Sequence, residues 1–190
     1  MEDLKRQKKS EIRKNILDKL KSQKEEYRRQ KSLVVKKKLF SLAEFKKAKR
    51  ILLYVSKYYE VDTKPIIKEV LEEGKNVFLP VTDTKGRKLI ISEISDLEND
   101  IELGPYGIYQ PGAKCKRLGR LGSLDLLLMP GVGFDKKGSR LGHGAGYYDR
   151  LLKDIPHNII RIGLAFDFQV QDEDIPQLAS DMPVTRVVTN

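Results

Sequence analysis

The segment from Met129 to Arg150 does most to limit what this chain can fold into. Six glycines fall in the sixteen residues from Gly131 to Gly146. The segment follows Leu124 to Met129, the most apolar run in the sequence, and leads into a helical stretch from about Gly146 to Lys153. An apolar strand that passes through glycines into a helix belongs to an open α/β sheet, where ligands bind beyond the carboxyl ends of the strands. Glycine admits positive φ and close backbone approach, so successive N–H groups can face one concavity and hold a phosphate. The helix N-terminus behind them adds partial positive charge, and Arg140 and His143 complete an anion site. Asp149, in the first turn of that helix, is the best Mg²⁺ candidate, because Mg²⁺ accompanies nucleotide phosphates on one or two carboxylates. The spacing matches neither standard phosphate loop. Gly142-His143-Gly144-Ala145-Gly146 is not Gly-x-Gly-x-x-Gly, and the run from Gly133 to Arg140 ends Gly-Ser-Arg where a Walker A loop has Gly-Lys-Ser/Thr.

Upstream, the pattern is β-α-β. Ile51 to Val55 reads as a strand buried on both faces. Asp62 or Thr63 caps a helix with Pro65 in its first turn and Gly74 after its end. Asn76 to Leu79 reads as the next strand, stopped by Pro80, and Arg87 to Ile94 as another after the Lys85-Gly86 turn. Residues 95–123 are loop-rich, and strands are expected again at 159–165 and 185–189. This alternation predicts a three-layer α/β/α fold with a mostly parallel central sheet.

Charge divides the 190 residues sharply. Residues 1–50 hold 19 of the 37 Lys and Arg and only 7 of the 27 Asp and Glu, so the formal surplus of +10 comes from a segment of +12 joined to a body of −2. That segment lacks Gly and Pro and reads as two helices. The first presents Leu4, Ile12, Ile16, Leu17 and Leu20; the second runs from about Gln23 to Lys47 with Tyr27, Val34, Phe40 and Phe45. We expect one α/β domain over 1–190, with the basic helices of 1–50 packed on the sheet-containing body of 51–190. No apolar run approaches the ~20 residues of a membrane span, and the start lacks the apolar core of a secretory signal. The single cysteine, Cys115, excludes an internal disulfide and suits the cytoplasm.

The segment from Pro130 to Arg150 resembles the signature of the 5-formyltetrahydrofolate cyclo-ligase family, Pro-Gly-Val-Ala-Phe-Asp followed by Gly-x-Arg-Leu-Gly-x-Gly-x-Gly-Tyr-Tyr-Asp, with Gly133 where the family usually has Ala. The likeness extends along the chain. Lys9 to Arg13 is similar to the family's Lys-x-x-x-Arg on the first helix, Glu60 to Thr63 to its acidic motif after the first strand, Tyr106-Gly107-Ile108 with Pro111 to its Gly-Ile-x-x-Pro segment, and Ser180 to Val184 to its C-terminal acidic motif.

This resemblance implies an enzyme that uses Mg²⁺ and ATP to cyclise 5-formyltetrahydrofolate, with or without a polyglutamate tail, to 5,10-methenyltetrahydrofolate. It implies that Lys9, Arg13 and Arg140 stabilise charge, with no protein nucleophile. ATP is expected on Lys9, Arg13, Arg140, Leu141, Gly142, His143, Gly144, Ala145, Gly146, Tyr147 and Tyr148. Folate is expected on Glu60 and Tyr106, with His143 through Tyr147 on the substrate side. Asp149 and Asp181 are expected to hold Mg²⁺. A monomer without membrane or nucleic-acid partners is anticipated. Two other classes stay open from the residues alone. The basic helices would suit a nucleic-acid-binding protein, although residues 1–50 carry no recognised nucleic-acid motif. A sugar-phosphate or acyl-CoA enzyme would suit the same sheet, since fold does not set function.

Overall fold

The computed structural model describes residues 1–190. The basic segment forms α1 (Glu2–Ser22), α2 (Glu25–Ser41) and α3 (Ala43–Lys47). The acidic residues Glu2 and Asp3 occupy the first turn of α1 and Lys19 and Lys21 its last, which complements the helix dipole. The second helix is broken where the sequence predicts continuity. Leu42 turns extended (ψ 131°) between α2 and α3. The break sends Phe45 into the core, fully buried and edge-on to Phe40 at 5.0 Å between ring centroids. The buried side of α2 is Ser32, Val35 and Leu39, while Tyr27 and Val34 remain exposed, as does Leu4 of α1.

The body begins with β1 (Arg50–Leu52), α4 (Lys64–Glu72), β2 (Asn76–Asp83) and β3 (Lys88–Ile94). A small hairpin, β4 (Ile101–Leu103) and β5 (Tyr109–Pro111), precedes β6 (Leu126–Met129). Then come β7 (Gly133–Asp135), β8 (Arg140–Leu141), α5 (Tyr147–Lys153), β9 (Ile160–Leu164), β10 (Val170–Gln171) and β11 (Arg186–Val188). The central sheet has the order β11-β9-β6-β1-β2-β3, parallel except for the antiparallel β2–β3 edge. The expected α/β fold with a mostly parallel sheet is the one observed.

Pro80 does not stop β2. The strand continues to Asp83, and Pro80 pairs with Ile91 of β3. The amide of Asn76 and the carbonyl of Phe78 bond toward the β1 side, so the Pro80 nitrogen, two residues on, faces the same side, where β1 has already ended. The last β1–β2 pair is Leu52↔Phe78, so Pro80 lies past the end of that ladder, where a strand tolerates proline.

The pleat divides the apolar side chains between two faces. Ile51, Val77, Leu79, Leu126, Leu128 and Ile162 join Ile16, Leu20, Val35, Leu39 and Phe45 of the first three helices, with Ile66, Ile67 and Val70 of α4, in one core. Leu52, Phe78, Leu127 and Met129 meet Leu151 and Leu152 of α5 on the other face. Four helices therefore cover one face and one short helix the other. The basic helices contribute to the main core and are no mere appendage.

The glycine segment is more ordered than its composition predicts. It contains the hairpin β7–β8, extended by β10 into a three-stranded sheet. Two glycines there have close neighbours. Gly138 has φ +85° at the hairpin turn, where a Cβ would collide with the Val184 carbonyl; a Cβ on Gly133 would meet the terminal methyl of Ile16 at 2.6 Å, so α1 closes directly on this strand.

Leu20 is 1% exposed. We expect Leu20→Ala to cost about 2–5 kcal/mol. In urea unfolding, helix loss and core exposure should move together to lower denaturant; an early separate loss of helix alone would contradict a shared core.

Candidate active site

Strand β1 has β2 on one side and β6 on the other, so the chain's winding reverses between β1 and β6, and a crevice opens beyond their carboxyl ends. A cleft of about 650 Å³ lies there. Its lining includes every residue to which the sequence assigns ligand or metal: Lys9, Arg13, Glu60, Tyr106, the run from Arg140 to Asp149, and Asp181. Tyr54 and Lys57 after β1, Arg6 on α1 and Arg150 on α5 line it too and were not singled out in the sequence. The signal for Tyr54 and Lys57 was their position at the carboxyl end of a buried strand.

Helix α1 forms one wall. Like charges at Lys9 and Arg13, four residues apart, should repel. Each has its own partner instead. Lys9 Nζ is paired with the Asp181 carboxylate, both side chains about nine-tenths buried, and Arg13 Nε donates to the Gly142 carbonyl at 2.9 Å. Asp181 Oδ2 also accepts the Leu178 amide at 2.8 Å. These bonds fasten the first helix to the glycine segment and to the loop before β11.

Arg140 lies in β8 and is 5% exposed. Its Nη2 donates to Asp149 Oδ1 at 2.5 Å, and its guanidinium lies over the Tyr148 ring at 5.9 Å. Its Nε is buried with no hydrogen-bond partner. A buried unpaired donor is costly in a folded protein, so the geometry leaves this arginine with unused capacity beside the cleft. Tyr148, on α5, keeps its proton, since burial raises its pKa.

The helix that follows the glycines is shorter than a strong dipole requires. α5 has seven residues and begins after Gly146, which is left-handed at φ +68°. Side-chain cations, more than that helix end, supply the positive charge here. Seven Lys and Arg against three carboxylates line the cleft, so the excess is positive.

Glu60 stands on the loop between β1 and α4. Of the two expected N-caps, Asp62 Oδ1 accepts the Lys64 amide at 3.1 Å at the start of α4, while Thr63 makes no cap bond. Thr63 Oγ1 donates to the Tyr54 carbonyl at 2.6 Å and accepts the Ser56 amide at 3.0 Å, stitching that loop together. Within it, Glu60 Oε2 accepts the Lys57 amide at 2.8 Å, and burial raises the carboxyl pKa. His143 Nε2 approaches from the glycine segment, 3.1 Å from Tyr59 Oη and 3.7 Å from Glu60 Oε1. Burial first, then the charges of Lys57 and Arg13, lower the His143 pKa to about 4. It is therefore neutral near pH 7. At the mouth, Tyr106 Oη lies 3.4 Å from Tyr147 Oη.

Asp149 and Asp181 are neighbours, because Asp149 Oδ1 also accepts the Met182 amide at 3.3 Å. No group of three or more His, Cys, Asp or Glu side chains gathers here. An all-protein metal cage is thus absent. Two carboxylates suit Mg²⁺ nonetheless, since it is bound through one or two carboxylates plus substrate phosphates. Asp149 Oδ2 and Asp181 Oδ1 have no protein hydrogen-bond partner, so the donor set fits.

Residues 5–190 match the 5-formyltetrahydrofolate cyclo-ligase family. The chain belongs to that family. It is 34% identical to the mouse 5-formyltetrahydrofolate cyclo-ligase, over 93% of this chain and 91% of that one. The Haemophilus influenzae enzyme of the same name is 37% identical over 76% of this chain and 77% of its own. Among solved structures, the 5,10-methenyltetrahydrofolate synthetase of Aquifex aeolicus superposes with a TM-score of 0.82 at 39% identity, covering 95% of this chain and 88% of that one. No helix is long and apolar enough to cross a membrane.

The pH dependence of stability follows from His143. Its ordinary pKa of 6.5 falls to about 4 on folding, so the unfolded chain binds more protons between those values and stability drops as pH falls through that window. The side chain is 32% exposed, and with that screening the loss by pH 5 is about 1 kcal/mol. Glu60, raised on folding, acts in the opposite sense from its ordinary value upward. His143→Asn should therefore show a smaller decrease between pH 6.5 and pH 4.5 than the parent; equal decreases in urea titrations would refute the assignment.

Proposed function

We propose that this protein is an ATP-dependent enzyme that cyclises 5-formyltetrahydrofolate to 5,10-methenyltetrahydrofolate, releasing ADP and phosphate. The observation that carries the reading is Arg140, buried at the sheet's switch point with Nε unpartnered. Family membership supplies the substrate class.

In this reading, the formyl oxygen attacks the γ-phosphorus of ATP, and the bond from that phosphorus to the ADP oxygen breaks. N10 of the folate then adds to the activated formyl carbon, loses its proton, and phosphate departs with the former formyl oxygen. Such a reaction asks for positioning and charge neutralisation more than for a nucleophile, and the cleft offers that. Arg140 presents a guanidinium suited to a bidentate phosphate clamp, while Lys9 and Arg13 bring positive charge from α1. Each cation meets its phosphate in competition with a present partner: Asp149 for Arg140, Asp181 for Lys9 and the Gly142 carbonyl for Arg13. The glycines from Gly142 to Gly146 let the backbone approach the nucleotide, with Leu141, His143, Ala145, Tyr147 and Tyr148 around it.

Asp149 and Asp181 would hold Mg²⁺ by the oxygens that the protein leaves unpaired. When bound, the ion supplies neutralisation of charge on the transferring phosphate. On the folate side, Glu60 offers carboxylate oxygens to the adjacent N–H donors of the pterin ring, and Tyr106 and Tyr147 offer aromatic surface. Neutral His143 acts there as a polar contact and no imidazolium acid.

Purified protein with Mg²⁺, ATP and 5-formyltetrahydrofolate should develop the methenyl chromophore. Well-folded protein that produces none would sink the reading. Arg140→Ala should lower kcat/KM for ATP by about 10²-fold or more and spare folate affinity in equilibrium titration; a loss confined to folate would contradict the clamp. Asp149→Asn should raise the Mg²⁺ concentration for half-maximal rate, and an unchanged Mg²⁺ dependence would remove this residue from the metal site.

A further inference from the structure

The Tyr59–His143 contact joins two segments that are 84 residues apart. It joins the loop that carries Glu60 to the glycine segment. Tyr59 is 8% exposed, and its only hydrogen-bond partner is His143 Nε2, at 3.1 Å. Glu60 Oε1 is 3.7 Å from the same nitrogen, beyond hydrogen-bond range. No protein atom bonds His143 Nδ1, so the protein selects the tautomer through Nε2 alone.

The two tautomers have opposite consequences. If Nε2 carries the proton, the ring is a donor 3.7 Å from a buried carboxylate and can close on it with a small rotation, and the Tyr59 hydroxyl hydrogen is left without an acceptor inside the protein. If Nδ1 carries the proton, Nε2 accepts from Tyr59, both groups are satisfied, and Oε1 of Glu60 has no competing donor. Burial and the Glu60 charge push the Tyr59 phenol up to about 12, so the hydroxyl keeps the proton it must donate.

We propose that Tyr59 is a positioning residue for the substrate: its hydroxyl donates to His143 Nε2, holds that ring in the Nδ1–H tautomer, and so reserves Glu60 Oε1 for an N–H donor of the bound ligand. This rests on the cyclo-ligase reading for the identity of that ligand, the pterin ring. The intramolecular part stands apart from it, because the tautomer exists without substrate.

The test has two arms. The chain contains only two histidines, His143 and His157, so imidazole ¹⁵N spectra of labelled protein at neutral pH resolve them, with His143→Asn assigning the signals. The parent should show His143 protonated at Nδ1, and Tyr59→Phe should shift it toward Nε2–H. A parent ring protonated at Nε2, or a tautomer indifferent to Tyr59→Phe, overturns the proposal whether or not the protein turns over folate. In steady-state assays, Tyr59→Phe should raise KM for 5-formyltetrahydrofolate about tenfold and leave kcat and the ATP KM within twofold. The effect should vanish when Tyr59→Phe is made in a His143→Ala background, since no ring then remains to compete for Glu60. An equal KM rise in both backgrounds would make Tyr59 a direct contact or a packing residue and overturn the positioning role. If the chromophore assay fails while the tautomer shifts as expected, the substrate assignment falls and the tautomer assignment stands.

Discussion

The cleft depends on the ion pair between Lys9 and Asp181. These residues are 172 positions apart, yet their side chains are almost wholly buried together. Removing either partner would leave a charge out of water without compensation, a loss of several kcal/mol. The pair holds α1 against the loop before β11, and Arg13 continues the attachment one turn later through the Gly142 carbonyl. Below it, the Ile16 methyl occupies the space beside Gly133 that a Cβ would need. One helix thus closes the cleft, supplies two of its cations and fills part of the main core. Most of the basic surface on α1 and α2 takes no part in this. Much of it is solvated or paired with single acids such as Glu173 and Asp167.

The acids and cations of the site are arranged in mutual restraint. Arg140 is held by Asp149, and Lys9 by Asp181, while Asp149 also bonds the amide next to Asp181. An anion that takes the cations frees carboxylates, and a divalent cation that takes the carboxylates frees the arginine and lysine. Each charge of the proposed nucleotide and metal therefore meets a group of opposite sign that is already in place. The buried Nε of Arg140 remains outside this pairing, and it is the site's one fully buried side-chain donor without a protein partner.

Much of the site was legible because its signals are local. The glycines, Arg140 and Asp149 lie in one continuous segment after the most apolar strand, and the sheet's topology puts such a segment at the ligand crevice. Lys9, Arg13, Glu60 and Asp181 entered through family likeness, since as single residues they resemble ordinary surface charges. Local propensity failed where packing or strand edges intervened. Nothing in residues 23–47 marks the break at Leu42, which exists to bury Phe45. Pro80 looked like a strand end, but it lies past the last β1–β2 pair and still pairs with Ile91 of β3. Thr63 looked like a cap, and it bonds backward to Tyr54 and Ser56.

By itself the sequence determined the α/β alternation, the split between a basic helical segment and a near-neutral body, and the glycine segment's place between strand and helix. Those are properties of neighbours along the chain, set by period, turn chemistry and composition. Only the tertiary structure decided which charges face each other, that the glycine segment contains a hairpin, and that Tyr59 reaches His143. Such pairings join residues far apart in sequence, and the packing of helices on a twisted sheet brings them within bonding distance.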